Sequence, residues 1–251
     1  MTSFGLSGNS ALVTGGTSGI GSATARLLAE RGAQVIVSGR DRKRGELVVG
    51  SIRDRGGKAD FVAADLADAD AVDSLAKQAV ELGGGHVDIL VNNAGAYPPG
   101  GPTSAIPAEA VDACFAVNVR APFLLVGKLA PQMAERGHGA IVNVSTIVAQ
   151  FGMVGLGLYG SAKAALTLLT KAWAAEYGPS GVRVNAVNPG PTRTEGTTQF
   201  GDFIDQLASA APAGRVAAPA EIAAAIAYLA SEEASFVQGT ALDVDGGRRA
   251  V

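Results

Sequence analysis

The sequence predicts an α/β fold, a doubly wound parallel sheet of seven strands with helices on both faces. Short apolar runs alternate with longer helix-like segments along the chain, which is the pattern of repeated strand–helix–strand units. A glycine-rich stretch, residues 14–21, stands between the first apolar run and the first helix-like segment. The 251 residues, of which 47% are hydrophobic, are enough for one large core.

Each short apolar run is assigned to a strand and each longer segment between two runs to a helix. The predicted strands are Ala11–Thr14, Gln34–Ser38, Ala59–Ala63, Ile89–Asn92, Ala140–Val144, Arg183–Val187 and Leu242–Val244. The predicted helices cover residues 19–31, 42–55, 69–82, 107–136, 158–177 and 219–230.

A single domain, residues 1–251, is expected, because no linker, composition shift or tandem repeat divides the chain. Residues 190–214 are the least regular part, with Gly, Pro, Thr and aromatic residues and no strong period. Long irregular stretches inside compact domains are often lids or binding loops. We therefore expect a substrate lid at about residues 190–214.

Composition excludes several classes of function. The net charge of −3 and the pI of about 5.4 favour neither nucleic acid nor an anionic membrane as a partner. The single cysteine, Cys114, cannot form an internal disulfide. Residues 1–9 lack the features of a signal peptide, and the apolar stretch Ala223–Ala230 is too short to span a bilayer. A cytoplasmic protein is expected, and no metal site, because the two histidines lack metal-ligand spacing.

The glycine-rich stretch has the composition of a phosphate-binding turn. Glycines allow a tight turn and let a pyrophosphate approach backbone amides at a helix N-terminus. The residues expected to do so are Gly15, Thr17, Ser18, Gly19, Ile20 and Gly21. A purely structural turn is the alternative, and the position between strand and helix favours phosphate binding.

Tyr159 and Lys163 stand four residues apart in a predicted helix, which puts both side chains on one face. An unperturbed phenol has a pKa of about 10, and a neighbouring ammonium group lowers it by favouring the phenolate. Lys163 is therefore expected to bring Tyr159 into the range of acid–base chemistry. The spacing alone is weak evidence, since a surface helix can carry it by chance.

The Gly-x-x-x-Gly-x-Gly spacing, together with Tyr159 and Lys163, resembles the short-chain dehydrogenase/reductase family. The resemblance covers nearly the whole chain, from the first strand to Val244-Asp245-Gly246-Gly247. It implies a Rossmann-type sheet and an oxidoreductase that uses NAD(P)(H) to interconvert a carbonyl compound and an alcohol. A small-molecule substrate and a homotetramer built on the two long helices are also implied.

The end of the second strand bears on the choice of dinucleotide. Gly39 stands where NAD-using relatives usually carry an acid for the ribose 2′-hydroxyl, and Arg40 follows it. Arg40, helped by Arg42 or Lys43, can pair with a 2′-phosphate. NADP(H) is therefore favoured. NAD(H) stays possible, because these residues could also form the solvent-exposed start of a helix, and Asp41 slightly weakens their positive field.

Residues after the third and fourth strands complete the implied adenosine and ribose site. The resemblance assigns the adenine edge to Asp65 and Leu66; helix capping is the alternative for Asp65, although Asp68 could cap instead. After the fourth strand it assigns Asn92, Ala94 and Gly95 to the cofactor, with Asn93 bracing the neighbouring strand.

The reacting centre implied by the resemblance is Asn118, Thr146, Tyr159 and Lys163. In relatives, the asparagine at the position of Asn118 distorts its helix and lies on a proton path to the lysine. The alternative is that Asn118 is a buried core amide whose hydrogen bonds are satisfied within the protein. Thr146 takes the place where relatives usually have serine, and its hydroxyl can both donate and accept. Ser145 stays the alternative, although strand neighbours alternate faces.

The mechanism implied is general acid–base catalysis by Tyr159, with Thr146 positioning the substrate oxygen. Lys163 also binds the nicotinamide ribose. A Pro-Gly motif after the sixth strand is expected to close over the nicotinamide, through Pro189, Gly190, the backbone at Thr192, and Thr194.

The substrate pocket is expected to be apolar and to suit an apolar or aromatic carbonyl compound. Ordinary lid packing is the alternative for each of its expected rim residues, which are Tyr97, Val148, Phe151, Met153, Leu156, Phe200 and Phe203. Two other functions stay open. One is 3-oxoacyl-carrier-protein reduction, against which Ala175 stands where such enzymes often have arginine. The other is a non-catalytic dinucleotide sensor, which would not need Asn118, Thr146, Tyr159 and Lys163 together.

Overall fold

The computed structural model describes residues 5–198 and 201–251. Its apolar runs form one seven-stranded parallel sheet in the order β3-β2-β1-β4-β5-β6-β7. The strands are β1 (Ser10–Thr14), β2 (Gln34–Gly39), β3 (Lys58–Ala63), β4 (Ile89–Asn92), β5 (Gly139–Val144), β6 (Val182–Pro189) and β7 (Ala241–Val244).

Helices cover both faces of the sheet. They are α1 (Gly19–Glu30), α2 (Arg42–Arg53), α3 (Ala69–Leu82), α4 (Ala108–Phe115), α5 (Ala121–Arg136), α6 (Gly157–Tyr177), α7 (Phe203–Ser209) and α8 (Pro219–Ala230). Alternate residues of each strand point to opposite faces, so each central strand contributes to two apolar cores. Val13 and Val91 pack with α1, α2 and α8, whereas Leu12 and Leu90 pack with α3, α5 and α6.

The predicted doubly wound parallel sheet is confirmed, and the predicted strands and helices are all present. Two details differ from the prediction. The expected helix over residues 107–136 is interrupted by a wider π-helical turn, Ala116–Arg120, between α4 and α5. The stretch expected to be irregular contains the short helix α7. Seven residues are too few to produce a recognisable helical period.

The continuous helical run Ala108–Arg136 is 29 residues long and apolar enough, by length and composition, to cross a membrane. The prediction from sequence concerned only the shorter stretch Ala223–Ala230. In the structure, Leu125, Leu129 and Met133 of this run are fully buried in one of the two cores. The run therefore has the place of a core helix in this fold.

The strand order reverses between β1 and β4, the two central neighbours. From β1 the chain passes through α1 to β2 and then to β3, both on one side of β1. It then returns to β4, which lies on the other side of β1. In open parallel sheets, ligands bind beyond the carboxyl ends of the strands at this switch point. The loops after β1, β2, β4, β5 and β6 all meet there.

Candidate active site

The glycine-rich turn after β1 is held rigidly by Asn93 from the loop after β4. The Asn93 Nδ2 donates hydrogen bonds to the carbonyl oxygens of Thr14 (2.9 Å) and Gly15 (3.1 Å). A Cβ on Gly21 would lie 2.2 Å from the Gly15 oxygen, so no side chain fits there. Gly15 itself has a φ of +62°, which favours glycine. The turn thus exposes backbone at the start of α1.

The first turn of α1 presents amide donors, as expected of an anion-binding helix N-terminus. Ser18 is the N-cap residue, and its side chain makes no capping hydrogen bond. The amide of Gly19 donates a 2.9 Å hydrogen bond to the Oε2 of Glu195, which comes from the segment after β6. A carboxylate oxygen therefore lies where the sequence predicts a pyrophosphate.

The end of β2 is closely packed against the glycine-rich turn. A Cβ on Gly39 would lie 2.6 Å from Cγ2 and 3.1 Å from Oγ1 of Thr17. The Thr17 side chain therefore fills the space from which the acid of NAD-using relatives would project. Both residues line the cleft described below.

The arginines that follow Gly39 differ in their surroundings. Arg40 and Arg44 line the cleft. Arg44 pairs with Asp41 at 2.8 Å, and the Arg44 backbone amide together with this contact holds the pKa of Asp41 below its usual value. Arg42 instead lies over the ring of Phe61, 5.8 Å from its centroid. Arg44 thus lines the cleft beside Arg40, whereas Arg42 and Lys43, the helpers expected from the sequence, do not line it.

The loop after β3 contributes Asp65 and Leu66 to the cleft. Asp68, three residues later, is the N-cap of α3 and accepts a hydrogen bond from the Asp70 amide at 2.9 Å. Asp65 therefore does not cap the helix, and its Oδ1 accepts a local bond from the Ala67 amide at 3.0 Å. The capping alternative for Asp65 is excluded.

Of the residues expected after β4, Ala94 and Gly95 line the cleft and Asn92 does not. The Asn92 side chain is buried and donates to Asn143 Oδ1 of β5 at 2.9 Å. Asn93 lines the cleft instead, in addition to its bracing role. Strand alternation explains the difference, because Asn92 is the last residue of β4 and points to the same face as Leu90, which α3, α5 and α6 cover.

Asn118 lies in the π-helical turn and is fully buried. Its Nδ2 donates to the carbonyl oxygens of Ala96 (2.8 Å) and Cys114 (2.9 Å), and its Oδ1 accepts from the Ala96 amide at 3.3 Å. The wider turn frees backbone groups that this amide satisfies, which is the helix distortion the resemblance implied. A Cβ on Gly95 would lie 3.3 Å from Asn118 Oδ1 and 3.6 Å from Lys163 Nζ, so both groups approach the same glycine.

The two hydroxyls after β5 have different partners. The Ser145 Oγ lies between the Lys163 carbonyl oxygen (3.1 Å) and Thr167 Oγ1 (2.8 Å), so it is bound to α6. The Thr146 Oγ1 accepts one long bond, 3.4 Å, from the Val148 amide and lines the cleft. Thr146 therefore keeps hydrogen-bonding capacity for a ligand, whereas Ser145 is already engaged.

Tyr159 is a buried tyrosine in the first turn of α6. Its ring stacks on that of Tyr97, with 4.7 Å between the ring centroids. Burial raises the pKa of Tyr159 well above its ordinary value, and the hydrogen-bonded hydroxyl of Tyr97 raises it further. The expected net lowering of the Tyr159 pKa by Lys163 is therefore wrong, because removal of the phenol from water is the largest effect.

Lys163 is 2% exposed, and its Nζ donates to the Val144 carbonyl oxygen at 2.9 Å. The Nζ lies 6.0 Å from the centroid of the Tyr159 ring. Burial lowers the pKa of Lys163 to about 8, since desolvation disfavours the ammonium. A buried cation thus lies beside a buried phenol at the floor of the cleft.

The loop after β6 brings Pro189, Gly190, Thr192 and Thr194 to the other side of the cleft. The Thr192 Oγ1 donates to the Gly190 carbonyl oxygen at 2.9 Å. Thr194 lies close to the helix N-terminus, because a Cβ on Gly19 would come within 2.9 Å of its side chain. The loop therefore reaches from the end of β6 to the start of α1.

These segments enclose one cleft of about 560 Å³, within the range of ligand pockets, ~300–1,000 Å³. The sequence-predicted cofactor residues line it, Asn92 excepted, and so do Thr146, Tyr159 and Lys163, while Asn118 lies behind them. The rim residues Tyr97, Val148, Phe151, Met153, Leu156 and Phe203 line it as well. Phe200 lies outside the described residues. Within residues 5–198 and 201–251, no cluster of three or more His, Cys, Asp or Glu could hold a metal ion.

Besides Arg44, sequence reasoning missed two charged residues of the cleft, Glu195 and Arg248. Glu195 follows Thr194 directly, so its position beside a predicted binding residue was a usable signal. Arg248 follows the glycine pair after β7, and no pattern in the sequence indicates that this turn folds back over the cleft.

The cleft fits an extended dinucleotide. Gly15, Gly19 and Gly21 line the cleft at the start of α1, the loop after β3 supplies an edge for adenine, and Gly95 lies beside Lys163. At the opposite end, the Tyr159 and Thr146 hydroxyls reach the same cavity. The residues that would hold a dinucleotide and those that would act on a substrate thus share one site.

Comparison with known proteins supports this interpretation. A family model described as enoyl-(acyl carrier protein) reductase matches residues 15–249. The chain is 42% identical to a cis-4-hydroxycyclohexanecarboxylate dehydrogenase of Sinomonas cyclohexanicum, over 96% of both chains.

Two solved structures have the same fold. One, described as a putative betaketoacyl-ACP reductase, is 51% identical, with a TM-score of 0.89 over 98% of this chain and 100% of the other. The other is a putative NAD(P)-dependent gluconate 5-dehydrogenase from Beutenbergia cavernae with bound NADP at low occupancy. It is 35% identical, with a TM-score of 0.94 over 100% of both chains. The chain therefore belongs to the short-chain dehydrogenase/reductase family and is an oxidoreductase that acts on hydroxyl donors with NAD(P).

Proposed function

We propose that this enzyme interconverts a cyclic secondary alcohol and its ketone with NADP(H), and that Tyr159 is the general acid and base. The observation that supports this most strongly is the meeting of Thr146, Tyr159 and Lys163 at the floor of one cleft that begins at the glycine turn. A bound nicotinamide supplies the hydride acceptor or donor. The protein's own residues handle the proton and the orientation of the substrate oxygen.

Tyr159 holds the transferable proton at its hydroxyl. Because burial keeps its pKa high, Tyr159 carries this proton at neutral pH and is ready to donate it to the carbonyl oxygen in reduction. In the oxidative direction it must accept a proton, and the buried ammonium of Lys163 then stabilises the phenolate. Thr146 Oγ1 hydrogen-bonds the same substrate oxygen and fixes its position. Asn118 keeps the loop after Gly95 in place beside Lys163.

NADP(H) is proposed as the favoured dinucleotide, with NAD(H) as the alternative. The support comes from Gly39, whose Cβ position is filled by Thr17, and from Arg40 at the same end of the cleft. An arginine pairs bidentately with a phosphate. The proposed dinucleotide contacts are Gly15, Thr17, Ser18, Gly19, Ile20, Gly21, Arg40, Asp65, Leu66, Ala94, Gly95, Tyr159, Lys163, Pro189, Gly190, Thr192 and Thr194.

A cyclic or aromatic substrate is proposed because the substrate end of the cleft is lined by Tyr97, Phe151, Met153, Leu156 and Phe203. The relative from Sinomonas is named for a cyclic secondary alcohol. We propose that residues 190–214, including α7, form the lid over this end of a single domain. The ion pair between Arg193 and Asp205, 2.6 Å long, ties α7 to the loop after β6.

Reduction of a 3-oxoacyl thioester on a carrier protein is the second candidate. The family model for enoyl-(acyl carrier protein) reductases and the similarity to a putative betaketoacyl-ACP reductase favour it. Against it stands Ala175 in α6, at the place where the resemblance leads us to expect an arginine for carrier binding. A net charge of −3 also gives no electrostatic attraction to an acidic carrier protein.

We also propose a homotetramer in the cytoplasm. The long helices α5 and α6 leave large apolar side chains in water, with Phe123 53% and Leu168 68% exposed. Apolar groups of this size on paired helices are typical of a surface that a second copy covers. The single buried thiol, Cys114, fits a reducing compartment.

The test is a set of initial rates with NADPH and NADH on cyclic ketones, open-chain ketones and 3-oxoacyl thioesters. Turnover of cyclic ketones with NADPH supports the proposal, and a preference for the thioesters supports the second candidate. Removal of a charge-assisted hydrogen bond costs about 1.5–3 kcal/mol, so Arg40→Ala should raise KM for NADPH about tenfold or more and change KM for NADH little. Arg42→Ala is the matched control, since it removes the same charge from a side chain turned to Phe61. Equal effects on both cofactors would contradict the assignment to NADP(H).

A further inference from the structure

The residues after β7 form a tight turn, Asp245–Arg249, called here the tail turn. The buried carboxylate of Asp245 accepts hydrogen bonds from the amides of Gly247 (2.9 Å) and Arg249 (3.0 Å). A side chain that bonds its own following backbone fixes a turn without need of regular secondary structure. The tail turn is therefore a defined structure.

The tail turn is wedged between the loop after β6 and the lid. A Cβ on Gly190 would lie 2.7 Å from the Cα of Asp245, so the two backbones are in close contact. The amide of Ala213, at the end of the lid, donates to the carbonyl oxygen of Gly246 at 2.9 Å. The backbone that carries Arg248 is thus held on both sides, next to the part of the cleft where Pro189 and Gly190 lie.

Arg248 projects from the tail turn into the substrate end of the cleft. Its guanidinium carbon lies 5.6 Å from the centroid of the Phe151 ring, within cation–π distance. Phe151 belongs to the segment between Thr146 and Tyr159, so this contact places the charge on the substrate side and away from the adenosine end. The aromatic face orients the guanidinium and leaves its donor edge available.

The other arginines near the lid and the tail turn are paired. Arg193 binds Asp205, Arg215 binds Glu221 and Arg249 binds Asp243, at 2.6–2.7 Å. Among the residues that the structure describes, no carboxylate side chain lies within 4.0 Å of the Arg248 guanidinium. The hydrogen bond that it makes is long, 3.4 Å, to the backbone oxygen of Val251.

The acids that line the cleft lie along the proposed dinucleotide site. Asp41 is bound by Arg44, Asp65 follows β3, and Glu195 accepts from Gly19 at the start of α1. The polar groups of the substrate end besides Arg248 are the hydroxyls of its threonine and tyrosine side chains and the buried Lys163 at its floor. A half-buried guanidinium with most of its five donors unused can accept an anionic ligand.

We propose that Arg248 binds a carboxylate on the substrate, so that the enzyme acts on cyclic hydroxy acids or their oxo acids. This inference rests on the proposed function and goes beyond it by naming the charged group that the site recognises. The carboxylate accepts hydrogen bonds from the Arg248 guanidinium, the ring lies among the apolar residues beside Phe151, and the hydroxyl or carbonyl group reaches Thr146 and Tyr159. A carboxylate matches the planar fork of arginine.

The first test compares 4-hydroxycyclohexanecarboxylate with its uncharged methyl ester as substrates. The ratio of kcat/KM for the acid to kcat/KM for the ester should fall about 30-fold in Arg248→Ala, through KM of the acid, since loss of one partner of a desolvated charge pair has effects of this size. Arg248→Lys should restore part of the ratio. The control is Arg249→Ala, which removes the same charge from the adjacent residue. The Arg249 side chain pairs with Asp243 outside the cleft, so the acid-to-ester ratio should stay as in the wild type.

The second test measures binding without turnover, by calorimetry with cyclohexanecarboxylate and with the neutral cyclohexanecarboxamide, on protein saturated with NADP⁺. Tighter binding of the carboxylate, lost in Arg248→Ala and kept in Arg249→Ala, is the expected result. Equal binding of both ligands, or an unchanged acid-to-ester ratio in Arg248→Ala, overturns the carboxylate site. If the ester is still turned over in that case, the proposed function is upheld. Carboxylate binding that depends on Arg248, with no turnover of either alcohol, upholds the site and overturns the proposed function.

Discussion

At the scale of single residues, Glu195 is the feature with the most direct consequence for cofactor binding. Its Oε2 accepts a hydrogen bond from the Gly19 amide at the first turn of α1, where an anionic ligand would take the same donor. Its negative charge would also repel such a ligand. Glu195 therefore competes with the cofactor for the helix N-terminus.

We expect Glu195→Gln to bind NADPH about three- to tenfold more tightly, because a charge at a helix N-terminus is worth ~0.3–1 kcal/mol or more and the repulsion is removed as well. A fluorescence titration of NADPH gives the dissociation constant. Asp202→Asn is the control, since it removes a like charge from the same segment, and the Asp202 side chain makes no capping hydrogen bond. Unchanged or weaker binding in Glu195→Gln would show that the carboxylate does not compete.

The residue scale also shows where sequence reasoning reaches its limit. The spacing of Tyr159 and Lys163 correctly predicts that both side chains reach one site. It does not reveal how deeply the two side chains are buried, and burial determines their ionisation. Burial raises the pKa of Tyr159 and lowers the pKa of Lys163 to about 8. Asn92 and Asn93 differ in the same way, since only the structure shows which of two adjacent amides faces the cleft.

At the scale of elements, the π-helical turn between α4 and α5 is held by one side chain. Asn118 satisfies the backbone of Ala96 and the carbonyl oxygen of Cys114 while fully buried. The turn thereby links the helix to the loop after Gly95. This loop borders both the expected ribose site and Tyr97.

We predict that Asn118→Leu lowers the free energy of unfolding by ~2 kcal/mol or more, because buried backbone groups lose their partners. Urea denaturation followed by circular dichroism measures this difference. Gln132→Leu, which removes an exposed amide from the same helical run, should change stability far less. A stability of Asn118→Leu equal to that of the wild type would mean that the π-helical turn does not depend on this amide.

The elements themselves were largely predictable, since strand and helix bounds follow from hydrophobic periodicity and glycine turns. Two features were not. The helix α7 is short and lies among glycine, proline and threonine residues, so local composition favours irregular structure. The tail turn depends on a contact between Asp245 and its own following backbone and on docking against Gly190, which no periodic pattern encodes.

At the scale of the whole molecule, the proposed tetramer rests on the two long helices α5 and α6. Leu168 on α6 is 68% exposed although it lies in a helix rich in Ala and Leu. If a second copy covers this surface, a charge introduced at residue 168 has to be buried without an ion-pair partner. Burial of an unpaired charge at an interface is strongly unfavourable.

Leu168→Glu should therefore dissociate the proposed tetramer into smaller species that keep the wild-type circular dichroism spectrum, because the residue is exposed in the single chain. Sedimentation velocity distinguishes the species. The control is Leu47→Glu, which puts the same charge at an equally exposed leucine (66%) on α2 and should leave the assembly unchanged. A wild type that sediments as a monomer, or a Leu168→Glu tetramer, would contradict this arrangement.

The most direct test of the catalytic proposal is the turnover of Tyr159→Phe on a cyclic ketone that the wild type reduces with NADPH, measured beside the NADPH dissociation constant. General acid catalysis contributes about 10²–10⁴-fold, so turnover should fall at least ~100-fold while NADPH affinity changes less than about twofold. Tyr177→Phe, at the far end of the same helix, should reduce the ketone at the wild-type rate. Full turnover by Tyr159→Phe would contradict its role as the proton donor.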